Sequence, residues 1–147
     1  MEWQIRKMKE ADIEEVAGIE RRIFSMPWSE QGFRSSLNSE DTLYLVVDNE
    51  DQILGYCGFL QSFDEADITN VAVAPEMRNS GIGFAMLTEL MQQGRARGIE
   101  RYTLEVRVGN EAAIHLYEKL GFESVGIRKN FYDKPKEDAV IMWTASV

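Results

Sequence analysis

Residues 78 to 83 read Arg-Asn-Ser-Gly-Ile-Gly, standing between a strand-like run and a helix-like run. Such a stretch can receive an anion. A helix N-terminus carries unpaired N–H groups and a partial positive charge. Glycine lets an anion's oxygens approach the backbone, and Arg78 adds a full charge. The same residues can equally make a plain strand-to-helix turn. They are not a P-loop, because no Gly-Lys-Ser/Thr follows. Nor are they the dinucleotide fingerprint, because Met86 stands where its third small residue belongs. Two other side chains could move protons. In Tyr102–Val106, Tyr102, Leu104 and Val106 face one side of a strand and Thr103 and Glu105 the other. Glu105 is then either a solvent-facing carboxylate beside Arg107 or a general base. Asn110, Ile114 and Tyr117 share one helical face. Asn110 can cap that helix and also bond a ligand. Tyr117 can donate a phenolic proton, or be a half-buried aromatic with a satisfied hydroxyl.

The elements that must hold these groups are legible from periodicity. A short strand over 3–8 precedes a helix over 9–24, with Ile13, Val16, Ile19 (or Glu20) and Ile23 at helical spacing. Met-Pro-Trp at 26–28 breaks it, and a second helix follows with Ser29 as N-cap. Strands are expected over 42–48, 53–60 and 66–74, the last stopped by Pro75. A helix runs from Gly81 to Gly98, burying Met86, Leu87, Leu90 and Met91. A strand over 101–108, a helix from Asn110 to Gly121, and strands over 123–132 and 137–145 close the chain. The order β-α-α-β-β-β-α-β-α-β-β predicts a mixed α/β sheet with helices on its faces and at least one parallel, right-handed crossover within 66–106.

Composition narrows the function classes. The 147 residues suit one domain, 1–147. No run approaches the roughly 20 apolar residues that span a bilayer, and the opening residues lack the apolar core of a secretory signal. No membrane association is expected. A single cysteine, Cys57, forms no internal disulfide, which fits a reducing cytoplasm. Cys57 reads as a small core residue rather than a nucleophile. One histidine, His115, is expected at the surface, and no Cys/His spacing suggests a metal. The formal net charge of −9 argues against direct nucleic-acid binding. It suits a cationic substrate such as an amine or a basic peptide, and equally a protein kept soluble by its charge.

The run Val-Ala-Val-Ala-Pro-Glu-Met-Arg-Asn-Ser-Gly-Ile-Gly at 71–83 resembles the acetyl-CoA signature of the GNAT superfamily of N-acetyltransferases, V-x-x-x-x-R/Q-x-x-G-x-G/A. Val73, Arg78, Gly81 and Gly83 fill every fixed position. The element order resembles that superfamily's fold, with its splayed central sheet, over essentially the whole chain. The resemblance implies acetyl-CoA as cosubstrate and no metal. Its pyrophosphate would lie on the amides of Arg78, Asn79, Ser80, Gly81, Ile82 and Gly83. The strand Val71, Ala72, Val73 would run along the pantetheine arm, pairing through Val71 and Val73, with the Val73 N–H facing the developing oxyanion. Asn110 would also bond the cofactor.

Residues 27–33, 103–122 and 128–143 resemble, more narrowly, the RimI-type N-terminal alanine acetyltransferases. That resemblance implies acetyl transfer to the α-amine of a protein N-terminal alanine, on a small-subunit ribosomal protein that would be a basic partner. Glu105 becomes the base, Tyr117 the acid and Tyr132 a residue that holds the peptide backbone. Met26 and Trp28 would wall the peptide site, although Trp28 could as well pin the helix-to-helix turn. A monomer is expected of this fold. A small-amine acetyltransferase acting on a polyamine or antibiotic, and a non-catalytic acetyl-CoA-binding module, are the alternatives. Glu105 and Tyr117 together count against the second.

Overall fold

Alternating and helical patterns become elements where the sequence places them. The computed structural model describes residues 2–145. β1 (Gln4–Lys7) leads through a 3-10 turn (Glu10–Asp12) into α1 (Ile13–Ile23). The Asp12 carboxylate accepts the Lys9 N–H at 2.7 Å and fixes that turn. Pro27 lies in the break before α2 (Glu30–Leu37), where Ser29 Oγ accepts the Gly32 N–H at 3.0 Å. β2 (Thr42–Asp48), β3 (Ile53–Ser62) and β4 (Glu65–Val73) form a meander. α3 (Ile82–Ala96), β5 (Arg101–Arg107) and α4 (Glu111–Lys119) follow. Asn110 caps α4, its Oδ1 accepting the Ala113 N–H at 3.2 Å. β6 (Phe122–Tyr132) and β7 (Glu137–Thr144) form the closing hairpin.

The seven strands form one sheet in the order β1-β2-β3-β4-β5-β7-β6. Every neighbouring pair is antiparallel except β4 with β5, the pair joined through α3. β2 is buried along its whole length, and two apolar clusters flank the sheet. Leu45, Leu54, Phe59, Met86, Leu87 and Leu90 pack on the α3 side, which Tyr117 and Phe122 extend. Val16, Ala17, Phe33, Tyr44, Val46 and Tyr56 pack on the α1–α2 side.

Two irregularities of β4 shape the molecule. Asn70 lies opposite Gly58 and Ile68 opposite Phe59, so Thr69 is an extra residue, a bulge. The bulge inverts the alternation: Ile68 belongs to the α3-side cluster, whereas Ala72 belongs to the α1–α2 cluster. The second irregularity is a parting. β4 pairs with β5 only from Glu65 to Asp67, against Arg101 to Thr103. Beyond that both strands run on unpaired to each other, which is the expected splay. Strand bounds differ slightly from the sequence reading: β3 runs on to Ser62 and β4 starts at Glu65, because the two zip together up to their turn.

Candidate active site

The loop before α3 is built to leave N–H groups free. Asn79 and Gly81 both adopt positive φ, +64° and +85°, and Gly81 is the N-cap. That conformation costs a side-chain-bearing residue about 1 kcal/mol or more, which is why glycine stands there. α2 and α4 have side-chain caps, but α3 has none. Ser80 Oγ bonds back to the Met77 carbonyl and ties the loop down. Arg78 is exposed and donates from Nε to the Val73 carbonyl at 3.4 Å. The Ile82 side chain is buried in the core, so only its backbone is on offer. Uncapped amides beside an exposed guanidinium form a donor set that fits a diphosphate.

The strand leading into this loop carries a second open surface. The Ala74 N–H bonds to the Leu54 carbonyl of β3 at 2.8 Å. By antiparallel alternation, Ala72 and Asn70 also turn their backbone groups to β3. Val71 and Val73 therefore turn theirs toward β5, where pairing has ended. Ala72 contributes position only, with its side chain in the α1–α2 core. The exposed amide edge at Val71 and Val73 fits the amide-bearing arm of an acyl carrier.

The parting opens a cavity of about 670 Å³. Arg78, Val71, Glu105, Asn110, Tyr117, Tyr132, Met26 and Trp28 all line it. Asn79, Ser80, Gly81, Ile82, Gly83, Ala72 and Val73 lie outside its lining, along the continuing strand and loop. Tyr117 reaches the cavity from α4, behind the sheet, and is 7% exposed. Burial pushes its phenol above the ordinary tyrosine value. Among the described residues none hydrogen-bonds its hydroxyl and no buried side-chain polar atom is left without a partner, so the hydroxyl opens on the cavity that Tyr117 lines.

Glu105 projects on the other face of β5 and is half-buried. Its partner is Arg128 of β6, whose Nη1 donates to Oε2 at 2.9 Å. Arg107, its neighbour in sequence, instead pairs with Glu137 at 3.1 Å and stacks its guanidinium 4.4 Å from the Tyr132 ring. Burial, then the charge of Glu105, pushes the Tyr132 phenol up to about 12. Trp28 does both things its position allowed. It packs tilted on Phe33 with centroids 5.3 Å apart, pinning the turn, and it walls the cavity. Met26 is 59% exposed at the mouth. Cys57 is fully buried, and the His115 side chain is exposed.

Glu20, Thr69 and Asn70 line the cavity without having been given a role from sequence. Glu20 is buried on α1, accepting from Tyr56 Oη at 2.6 Å and from the Trp28 N–H at 3.1 Å. Burial pushes its carboxyl above the usual range. A carboxylate on the apolar stripe of α1 was the available signal. Thr69 and Asn70 reach the cavity through the bulge, which no pattern in the sequence announces.

Comparison with known proteins agrees with this geometry. Residues 13–122 match the model of the acetyltransferase (GNAT) family. The Escherichia coli (strain K12) ribosomal protein bS18-alanine N-acetyltransferase is 36% identical, the match covering 94% of each chain. A Bacillus subtilis protein whose name gives the same activity provisionally is 38% identical, over 95% of this chain and 93% of its own. The crystal structure of the E. coli ribosomal-protein-S18-alanine N-acetyltransferase superimposes with a TM-score of 0.89 at 34% identity, covering 97% of this chain and 93% of that one.

Proposed function

The chain belongs to the acetyltransferase (GNAT) family and is an acetyl-CoA-dependent N-acetyltransferase, and from that premise we propose that it acetylates the α-amine of a protein N-terminal alanine, on a small-subunit ribosomal protein. One observation carries the proposal: the parting of β4 from β5 opens a single cavity that Glu105 enters from one face of the sheet and Tyr117 from the other. Relatives named for bS18-alanine acetylation, matched over nearly their full length, support the substrate.

Acetyl-CoA supplies an acetyl group activated as a thioester. The uncapped amides from Gly81 onward, with Arg78, hold its pyrophosphate, and the open edge at Val71 and Val73 pairs with its pantetheine amides. Asn110, at the cavity's edge, adds a contact through whatever its cap leaves free. An α-ammonium with a pKa near ~7.7–8.0 must lose a proton before it can attack. Glu105 takes that proton, directly or through water, while Arg128 holds one of its oxygens. The Val73 N–H faces the oxygen on which charge develops. Tyr117 keeps its proton until the thiolate departs, and gives it up then. Met26, Trp28 and Tyr132 wall the peptide's path.

The test is thiol release from acetyl-CoA with three acceptors: a basic peptide with a free N-terminal Ala, the same peptide N-terminally blocked but carrying lysine, and spermidine. Release with the first alone is expected. Release with spermidine alone would replace the proposal by small-amine acetylation. Silence with all three, together with tight cofactor binding, would leave a non-catalytic module.

A further inference from the structure

Asn70 follows the bulged Thr69 and, at 6% exposure, is one of the few buried polar residues. It lines the cavity beside Val71, and the register puts it on the same face of the sheet as Tyr44 and Tyr56. Its Oδ1 accepts from Thr69 Oγ1 at 2.8 Å, and Tyr44 Oη lies 3.2 Å from both Asn70 Oδ1 and Thr69 Oγ1. The hydrogen-bond network assigns the amide oxygen, not the nitrogen, to the side of the hydroxyls, and 2.8 Å is the usual length of an O–H···O bond. Tyr44 reaches across because Gly58 has no side chain; a Cβ there would run into the Tyr44 ring. The carboxamide is therefore locked, with its acceptor used. Among the described residues none accepts from Nδ2 and no buried side-chain polar atom lacks a partner, so Nδ2 opens on the cavity that Asn70 lines.

A fixed, buried N–H pair facing a substrate cavity needs an acceptor. We propose that Asn70 is a specificity-determining residue whose Nδ2 donates to the first peptide carbonyl of the acceptor. The inference rests on the N-terminal reading above and deepens it. In a peptide the carbon that bears the α-amine is bonded directly to a carbonyl; in a lysine side chain or a polyamine it is bonded to a methylene. A substrate without that carbonyl leaves the amide desolvated and unpaired, so Asn70 penalises it.

The test compares two acceptors of one sequence, the free-Ala peptide and its analogue with the first amide replaced by a trans alkene, which removes the carbonyl and adds no charge. In the parent enzyme kcat/KM, expressed per free amine because the alkene's amine is the more basic, should be roughly five- to tenfold higher for the peptide than for the alkene, the worth of one neutral hydrogen bond. Asn70→Asp keeps the acceptor for Thr69 and Tyr44 and removes the N–H pair. Its added charge also repels the peptide carbonyl oxygen and lowers the ratio further, so the uncharged Asn70→Ser is measured beside it. The ratio should fall to near one in Asn70→Ser and at least as far in Asn70→Asp, and either variant is read alone if the other does not fold. A parent ratio near one, or a ratio that survives in the variants, overturns the role. A parent enzyme that leaves the peptide itself unacetylated sinks the N-terminal reading instead.

Discussion

At the scale of single residues, Glu105 and Tyr117 should fail differently. Glu105→Gln removes a proton acceptor but keeps the side chain's shape, and the new amide oxygen can still receive from Arg128. General-base catalysis is worth about 10²–10⁴-fold, so kcat should fall by at least about a hundredfold while the Kd for acetyl-CoA, from calorimetry, stays put. Unchanged kcat at every pH would remove Glu105 from the mechanism. Tyr117→Phe should cost less, roughly tenfold or below, because a thiolate with a parent pKa near ~8.5 leaves fairly well unaided. Burial holds the Tyr117 phenol above its ordinary value, so it stays protonated throughout the neutral range. The loss in Tyr117→Phe should accordingly be flat from about pH 6 to 9; a loss confined to one end of that range would contradict the acid role. Alternation placed Glu105 on the polar face of its strand, as found, but named the wrong arginine. Arg107 adjoins it in sequence, whereas Arg128 reaches it across β7, a neighbour that only strand order reveals.

At the scale of elements, the anion cradle belongs to the end of α3, not to any one side chain. Its amides come with the helix, and Arg78 only adds to them. Arg78→Ala should therefore weaken CoA binding by roughly five- to tenfold, the low end for a hydrogen bond to a charged group at an exposed position. Binding of pantetheine, which lacks the pyrophosphate, should not change. Equal weakening of both ligands would place Arg78 on some other part of the cofactor. Every helix and strand here was legible from the chain, because Ser29, Pro75, Gly81, Asn110 and Gly121 mark their ends by local chemistry. The site was less so. The parting of β4 from β5 depends on where pairing stops, and the Thr69 bulge on what lies opposite it, and neither leaves a periodic trace. Asn70 is placed by the bulge, so periodicity alone passed over it, whereas Glu20 stood on the apolar stripe of α1 and only its partners, Tyr56 and Trp28, were hidden.

At the scale of the whole molecule, a few paired or buried carboxyls set the response to acid. Arg6 of β1 reaches both Asp12, at 2.8 Å, and Asp48 of β2, at 2.6 Å, tying the edge strand to the turn that starts α1. The Arg6 hydrogen bond holds the Asp12 carboxyl below the usual carboxylate range. Burial pushes Asp48 up, but Gln4 and Arg6 outweigh it and leave it low as well. A lowered folded pKa stabilises above the unfolded value, near ~3.9, and the benefit fades as pH falls through the folded one. Glu20 works in the opposite sense, since burial raises it: its contribution is whole at low pH and is lost as pH rises through its folded value. The gain in stability on leaving acid must then come from the Arg6 cluster and its like, against the slope of Glu20. Arg6→Gln should cost about 2 kcal/mol near neutral pH, below the cost of breaking a fully buried pair because the arginine is partly exposed. The cost should shrink toward zero as pH falls through the lowered folded pKa values of Asp12 and Asp48, below which both are protonated in either protein. Urea unfolding of both proteins from about pH 2 to 8 checks this. A difference that stays constant with pH would mean that Arg6 holds β1 by packing, not by charge.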